Sequence, residues 1–114
     1  LLVKCFNLLK YKNLHKVFTV SEYAYPIQRA FKIVNKKIIY NEKKYSKSRS
    51  QDLGINYHDA GQCYWFDLSK IKDIKNETKF QVGVVKLKPL EFYDLNTPED
   101  FIIVKKLFLL NNKK

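Results

Sequence analysis

The chain has 114 residues, a 46% apolar fraction and a formal net charge of +11, which fits one small domain or a piece of a larger one and excludes global disorder. No apolar run approaches the ~18–20 residues of a membrane span, and lysines interrupt residues 1–14 with no small-residue cleavage site behind them, which speaks against a signal peptide. The 22 basic residues raise nucleic acid as a partner, but only Arg29 and Arg49 are arginines; scattered lysines, without arginine's planar fork or a compact aromatic RNA-binding motif, argue against it.

In chain order, residues 1–13 predict an amphipathic helix, with Leu2, Cys5, Phe6 and Leu9 at helical spacing and no cap signal ahead of them. That opening predicts a fragment of a longer chain. Residues 16–22 alternate and carry Val, Phe, Thr and Val, the pattern of a strand. A turn at 23–26 follows, where Pro26 biases Tyr25 toward extended geometry. Residues 30–34 and 37–40 flank Asn35-Lys36 and predict a hairpin. The lysine-rich stretch 41–50 reads as a loop, 62–67 as an aromatic strand, 68–74 as a short helix and 76–79 as a loop. Strands are predicted at 82–87 and 91–95. A closing helix over about 97–111 is signed by Thr97 as cap, Pro98 at its first position and Asp100 three residues after the cap. Phe101, Val104, Leu107 and Phe108 form its expected buried stripe. Strands alternating with helices indicate an α/β fold with an inserted hairpin. Cys5 and Cys63 have no metal-ligand spacing and read as reduced thiols of a cytoplasmic protein.

Three polar constellations carry candidate chemistry. In Tyr25-Pro26-Ile27-Gln28-Arg29-Ala30, Gln28 and Arg29 offer donors for a carboxylate and hydroxyls; an exposed turn with a solvated arginine is the plainer reading. The run Arg49-Ser50-Gln51-Asp52-Leu53, followed by Tyr57-His58-Asp59-Ala60-Gly61-Gln62-Cys63-Tyr64-Trp65, is too polar for ordinary core. Arg49 and Gln51 suit a carboxylate or amide, Asp59 can accept from sugar hydroxyls, and Gly61 lets backbone approach a ligand. His58 lacks a nucleophile at a sensible spacing and reads as a structural histidine bonded to backbone. Tyr64, Trp65 and Phe66 read as half core and half rim. In Tyr93-Asp94-Leu95-Asn96-Thr97-Pro98, an extended backbone places Asp94 and Asn96 on one side. Two oxygen donors there suit Mg²⁺, and a plain strand–cap–helix junction explains them equally well. Glu99 and Asp100 answer the helix dipole.

Taken together, VFTVSEYAYPIQRAFKI, RSQDL, YHDAGQCYW and YDLNTPEDF make the chain resemble the acylneuraminate-type cytidylyltransferases, their pseudaminic acid branch in particular. The resemblance runs from about Lys16 to Leu110. It implies the C-terminal half of a Rossmann-like nucleotidyltransferase fold, in which residues 1–114 form part of a single domain. The hairpin at about 31–48 would be a dimerisation arm exchanged between subunits of a homodimer. The implied activity is transfer of CMP from CTP to the anomeric hydroxyl of a nonulosonic acid, with pyrophosphate released. By motif, Gln28, Arg29, Arg49, Gln51, Asp59 and Gln62 become candidates for the sugar pocket. Asp94 and Asn96 match the family's C-terminal metal-binding segment, usually Asp-Ile-Asp-Thr; asparagine stands here at the second acidic position, one negative charge fewer for Mg²⁺.

The family's glycine- and arginine-rich phosphate loop and the first half of its sheet have no counterpart in these residues. The isolated chain is therefore expected to be inactive, with no catalytic group assigned. The alternative expectation is a non-catalytic sugar-binding or dimerisation remnant.

Overall fold

A computed structural model describes residues 1–113. Its helices are α1 (Leu2–Tyr11), α2 (Leu68–Ile71) and α3 (Pro98–Asn111), and its strands are β1 (Lys16–Glu22), β2 (Phe31–Val34), β3 (Lys37–Tyr40), β4 (Tyr57–Phe66) and β5 (Val82–Lys86). The chain divides into two compact units, 1–21 with 59 onward, and 22–58. They are called here the sheet unit and the hairpin unit. The architecture is mixed α/β, as the alternation of elements predicts.

The sheet unit is built on a three-stranded mixed sheet in the order β4-β1-β5, with β1 and β5 parallel from Lys16↔Val82 to Val20↔Lys86. Side chains alternate across a strand, so Val17 faces one side together with Val85 and Cys63. Cys5 and Leu9 of α1, four residues apart and hence on one helix face, close over them, with Leu8, Leu14 and Trp65 packed around this core. Gly83 is the reason the helix side can sit so close. A Cβ there would meet Leu14 Cδ1 at 2.5 Å and Leu8 Cδ2 at 3.2 Å.

Strand β4 begins earlier than the pattern predicts, at Tyr57, and bends at Gly61, which holds φ 69°. A left-handed residue inside a strand marks a bulge. The buried hydroxyl of Thr19 accepts from the amides of both Gln62 and Cys63, each at 3.2 Å, and so satisfies donors at the irregular point. Asp67 then caps α2, accepting from the Ser69 amide at 3.2 Å and its hydroxyl at 2.6 Å. Its carboxyl is held below the usual range, first by the Ser69 hydroxyl and further by Lys10 and Lys70, against the opposing effect of burial.

The hairpin unit contains β2 and β3, antiparallel from Phe31↔Tyr40 to Val34↔Lys37. Asn35 and Lys36 both take positive φ, 49° and 64°, the geometry of a type I′ turn, whose twist matches the flanking strands. The predicted loop at 41–50 contains a 3₁₀ turn at Lys43–Tyr45, and a second begins at its end, Ser50–Asp52.

Two expectations are corrected. No strand forms at 91–95: a 3₁₀ turn at Pro89–Glu91 is followed by residues 92–96 without regular structure, because Pro89 and the approach to the helix cap leave no ladder to join. The stripe Phe101, Val104, Leu107 and Phe108 of α3 is not buried. Apolar side chains also occupy 102, 103, 109 and 110, so the helix is apolar on several faces. Val104 and Leu107 are half-buried, and the other apolar side chains of the helix are exposed.

Candidate functional site

The predicted site residues fall into two groups, one in each unit. In the hairpin unit, Gln28 and Arg29 lie on the 3₁₀ turn Ile27–Arg29 after Pro26, while Arg49 precedes and Gln51 lies within Ser50–Asp52. The structure brings these two turns together: Arg29 Nη1 reaches Ser50 Oγ at 3.4 Å. Ser50 also lines two clefts. One, of about 140 Å³, is walled by Tyr23, Tyr25, Leu53 and Asn56. The other, of about 450 Å³, is walled by Pro26, Ile27, Arg29 and Phe31. Gln28 Oε1 is buried without a hydrogen-bond partner, a carbonyl oxygen that a hydroxyl or amide donor would satisfy.

Arg49 is already engaged. Its Nε donates to Asp52 Oδ2 at 2.9 Å and its Nη2 to Oδ1 at 3.4 Å. Both partners are largely exposed, so the pair contributes at most about 1 kcal/mol and an incoming carboxylate can compete for the fork. The sequence reading did not pair Arg49 with Asp52, although their spacing of three is a signal that could have found the partner. His58, half-buried, sets its ring edge-on to Tyr23 with centroids 5.0 Å apart.

In the sheet unit, the bulge organises Asp59. The Gly61 amide donates to Asp59 Oδ1 at 2.8 Å and the Tyr64 hydroxyl to Oδ2 at 2.6 Å. Tyr64's phenol is raised above its ordinary value, first by that bond, then by desolvation and by the charges of Asp59 and Asp94. Asp94 therefore belongs to the same neighbourhood; its Oδ1 lies 3.7 Å from where a Cβ on Gly61 would stand. Tyr64 is the residue the sequence reading missed. Its partnership depends on how the bulge folds the strand, and no spacing rule announces it.

Gln62 turns its carboxamide back onto its own strand, with Nε2 donating to the Ala60 carbonyl at 3.2 Å. Asn96 serves the helix start: its amide and that of Thr97 donate to Asp100 Oδ2 at 3.0 and 2.8 Å, while Thr97 Oγ1 accepts from the Asp100 amide. The Asn96 amide first, then the Thr97 hydroxyl and amide, hold the Asp100 carboxyl below its usual range. Without a strand at 92–96, no pleat holds Asp94 and Asn96 to one side. Among the described residues, no group of three or more His, Cys, Asp or Glu side chains is arranged to hold a metal ion.

No family profile matches the chain. Curated sequences do. Two pseudaminic acid cytidylyltransferases of Campylobacter jejuni are 35% identical over 101 residues, 85% of this chain and 42% of each relative. This chain is a homologue of the pseudaminic acid cytidylyltransferases. A Helicobacter pylori relative, 32% identical over 89 residues, covers 78% of this chain and 17% of its own length. It is named for a pseudaminic acid cytidylyltransferase and a UDP-2,4-diacetamido-2,4,6-trideoxy-beta-L-altropyranose hydrolase. The homologue thus spans less than half the length of the C. jejuni relatives it matches, and no helix among its described residues is long and apolar enough to cross a membrane.

Proposed function

We propose that this chain is the C-terminal, sugar-acid-binding part of a Rossmann-like cytidylyltransferase. The enzyme transfers CMP from CTP to a nonulosonic acid, most simply pseudaminic acid. The observation that carries the reading is the 35% identity over 85% of the chain. In the reaction, the anomeric hydroxyl oxygen of the sugar attacks the α-phosphorus of CTP. The bond to the β-phosphate oxygen breaks, pyrophosphate leaves, and the hydroxyl proton is lost to a base not assigned to any residue here.

The chain's own residues supply recognition. The guanidinium groups of Arg29 and Arg49 suit the sugar's carboxylate, whose charge separates a nonulosonic acid from neutral sugars. For Arg49 this requires exchange of its Asp52 partner. Gln28 Oε1 accepts from a sugar hydroxyl or acylamino group, and Gln51 adds a second amide. Asp59, oriented by Tyr64 and Gly61, accepts from a further hydroxyl, with Gln62 beside it. These contacts act by holding the attacking oxygen in line with the phosphorus.

Asp94 and Asn96 offer oxygen donors only, the type that suits Mg²⁺. Bound there, the ion would neutralise charge on the phosphates; an amide in place of a second carboxylate makes the site weaker. The exposed apolar residues Ile33, Val34, Ile38 and Ile39 of the hairpin support its use as an arm exchanged in a homodimer. The cytoplasm is the expected location, with CTP and the sugar acid as partners.

The test is a CMP-transfer assay with CTP and pseudaminic, legionaminic or neuraminic acid, on the 114-residue chain and on a longer protein carrying it behind a cytidylyltransferase nucleotide-binding half. Turnover is expected from the longer protein only, and best with pseudaminic acid. Turnover by the 114 residues alone would refute the division of labour. Sugar binding without turnover in either protein would favour a non-catalytic remnant.

A further inference from the structure

Cys5 and Cys63 are the chain's two cysteines, and neither enters the recognition proposed above. They come from elements far apart in sequence, Cys5 from α1 and Cys63 from β4. Both are free thiols, and they share one buried cluster with Leu9, Val17 and Val85. The two thiols are hydrogen-bonded to each other. Burial first, then this bond and the charge of a Cys63 thiolate, raises the Cys5 thiol above its ordinary value.

A second contact runs beside the first. Phe6, the next residue of α1, sets its ring 5.2 Å from that of Trp65. Trp65 lies two residues along β4 from Cys63 and so on the same face of the strand. Helix and strand are therefore held side by side at the cysteines by neighbours on both elements. An apolar side chain of similar volume would fill this core as well. Two thiols in contact add a capacity that packing leaves unused.

We propose that Cys5 and Cys63 form a modification site, a reversible disulfide that ties α1 to β4 when the chain meets a peroxide. Cys63 is 5% exposed and Cys5 0%, so Cys63 reacts first. Its sulfur attacks one peroxide oxygen; the S–O bond forms, the O–O bond breaks, and the leaving oxygen departs as water with the thiol's proton. The Cys5 sulfur then attacks the sulfenic sulfur. The S–S bond forms, the S–O bond breaks, and a second water leaves with the Cys5 proton. Both sulfurs are oxidised and the peroxide is reduced. A thiol reductant returns the pair by exchange. Burial makes the first step slow, since it waits on local opening of α1 from the sheet. The waiting partner thiol makes the second step outrun oxidation to the sulfinic acid.

The test treats the 114-residue chain with hydrogen peroxide in native buffer, then denatures it in N-ethylmaleimide. The expected product is a monomer lighter than the reduced chain by two hydrogens and closed to the maleimide. Digestion should release a peptide pair linked through Cys5 and Cys63, and dithiothreitol should restore both thiols. In urea the oxidised chain should show an unfolding equilibrium constant at least about thirtyfold lower than the reduced chain, because the bridge closes a long loop in the unfolded state.

Sulfinic or sulfonic acid as the main product overturns the proposal, as do disulfide-linked dimers. Thiols that stay open to the maleimide unless urea is present during oxidation overturn it too. So does an oxidised chain no more stable than the reduced one, since the bridge would then strain the helix and strand it joins. None of these readouts depends on CMP transfer.

Discussion

Among the described residues, every buried one belongs to the sheet unit, and residues 22–58 contain none. The sheet unit is held by apolar burial between α1 and the strands. The hairpin unit is held by turn chemistry, by its β2–β3 ladder and by polar pairs such as Arg49–Asp52. A two-stranded hairpin is marginal by itself in water. The candidate residues Gln28, Arg29, Arg49 and Gln51 therefore stand on the unit with less intrinsic stability, while Asp59 and Asp94 stand on the one with a core. Opening free energies follow buried contacts, so the candidate residues of one unit should differ in rigidity from those of the other.

The sharpest way to break this contrast is to truncate one apolar side chain in each unit. Leu9→Ala removes a core residue and should cost about 2–5 kcal/mol, whereas Ile33→Ala, at a residue 73% exposed, should stay within about 0.5 kcal/mol. Urea denaturation measures both. Similar costs would mean that the hairpin has a core of its own. Next in size is Thr19→Val, which withdraws the acceptor shared by the Gln62 and Cys63 amides and should cost about 1–3 kcal/mol. Loss of amide protection at 62 and 63 in hydrogen exchange would accompany it.

A pair of glycines sharpens the comparison further. Gly61→Ala forces a Cβ into the left-handed region and should cost about 1–2 kcal/mol, with the Tyr64–Asp59 bond disturbed in the same variant. Gly54, in the hairpin unit, has open space where a Cβ would go; Gly54→Ala should be neutral or stabilise by up to about 1 kcal/mol.

The smallest effect is on acid. Because the Asp100 carboxyl is held below its ordinary value by the Asn96 and Thr97 amides, its contribution to the start of α3 is complete above the unfolded value of about 3.9. That contribution disappears as pH falls through the lower folded value. Amide shifts of Asn96 and Thr97 should follow this transition, and Asp100→Asn should abolish it. Hairpin-unit amides moving with the same midpoint would erase the distinction.

Much of the fold was legible because its determinants are local. The strand at 16–22, the Asn35-Lys36 hairpin and the Thr97-Pro98-Asp100 helix start are set by residues within a few positions of each other. In each, the side chain or turn conformation acts on its own backbone. The strand expected at 91–95 did not form, since a strand needs a neighbour and nothing in those five residues says whether one is available. The buried stripe of α3 failed for the same reason: an apolar pattern shows what could be covered, and burial needs something to cover it.

The candidate site divides along the same line. Residue types and motif order by themselves determined an α/β chain, a homologue of the pseudaminic acid cytidylyltransferases, with its polar residues concentrated at 25–30, 49–65 and 93–100. Tertiary structure alone decided that Gln28 buries an unpartnered oxygen and that Tyr64 and Gly61 lock Asp59. It also decided which face of the sheet α1 closes. These depend on where the chain returns in space, through a bulge at Gly61 and a parallel partner for β1, and no short stretch of sequence encodes either.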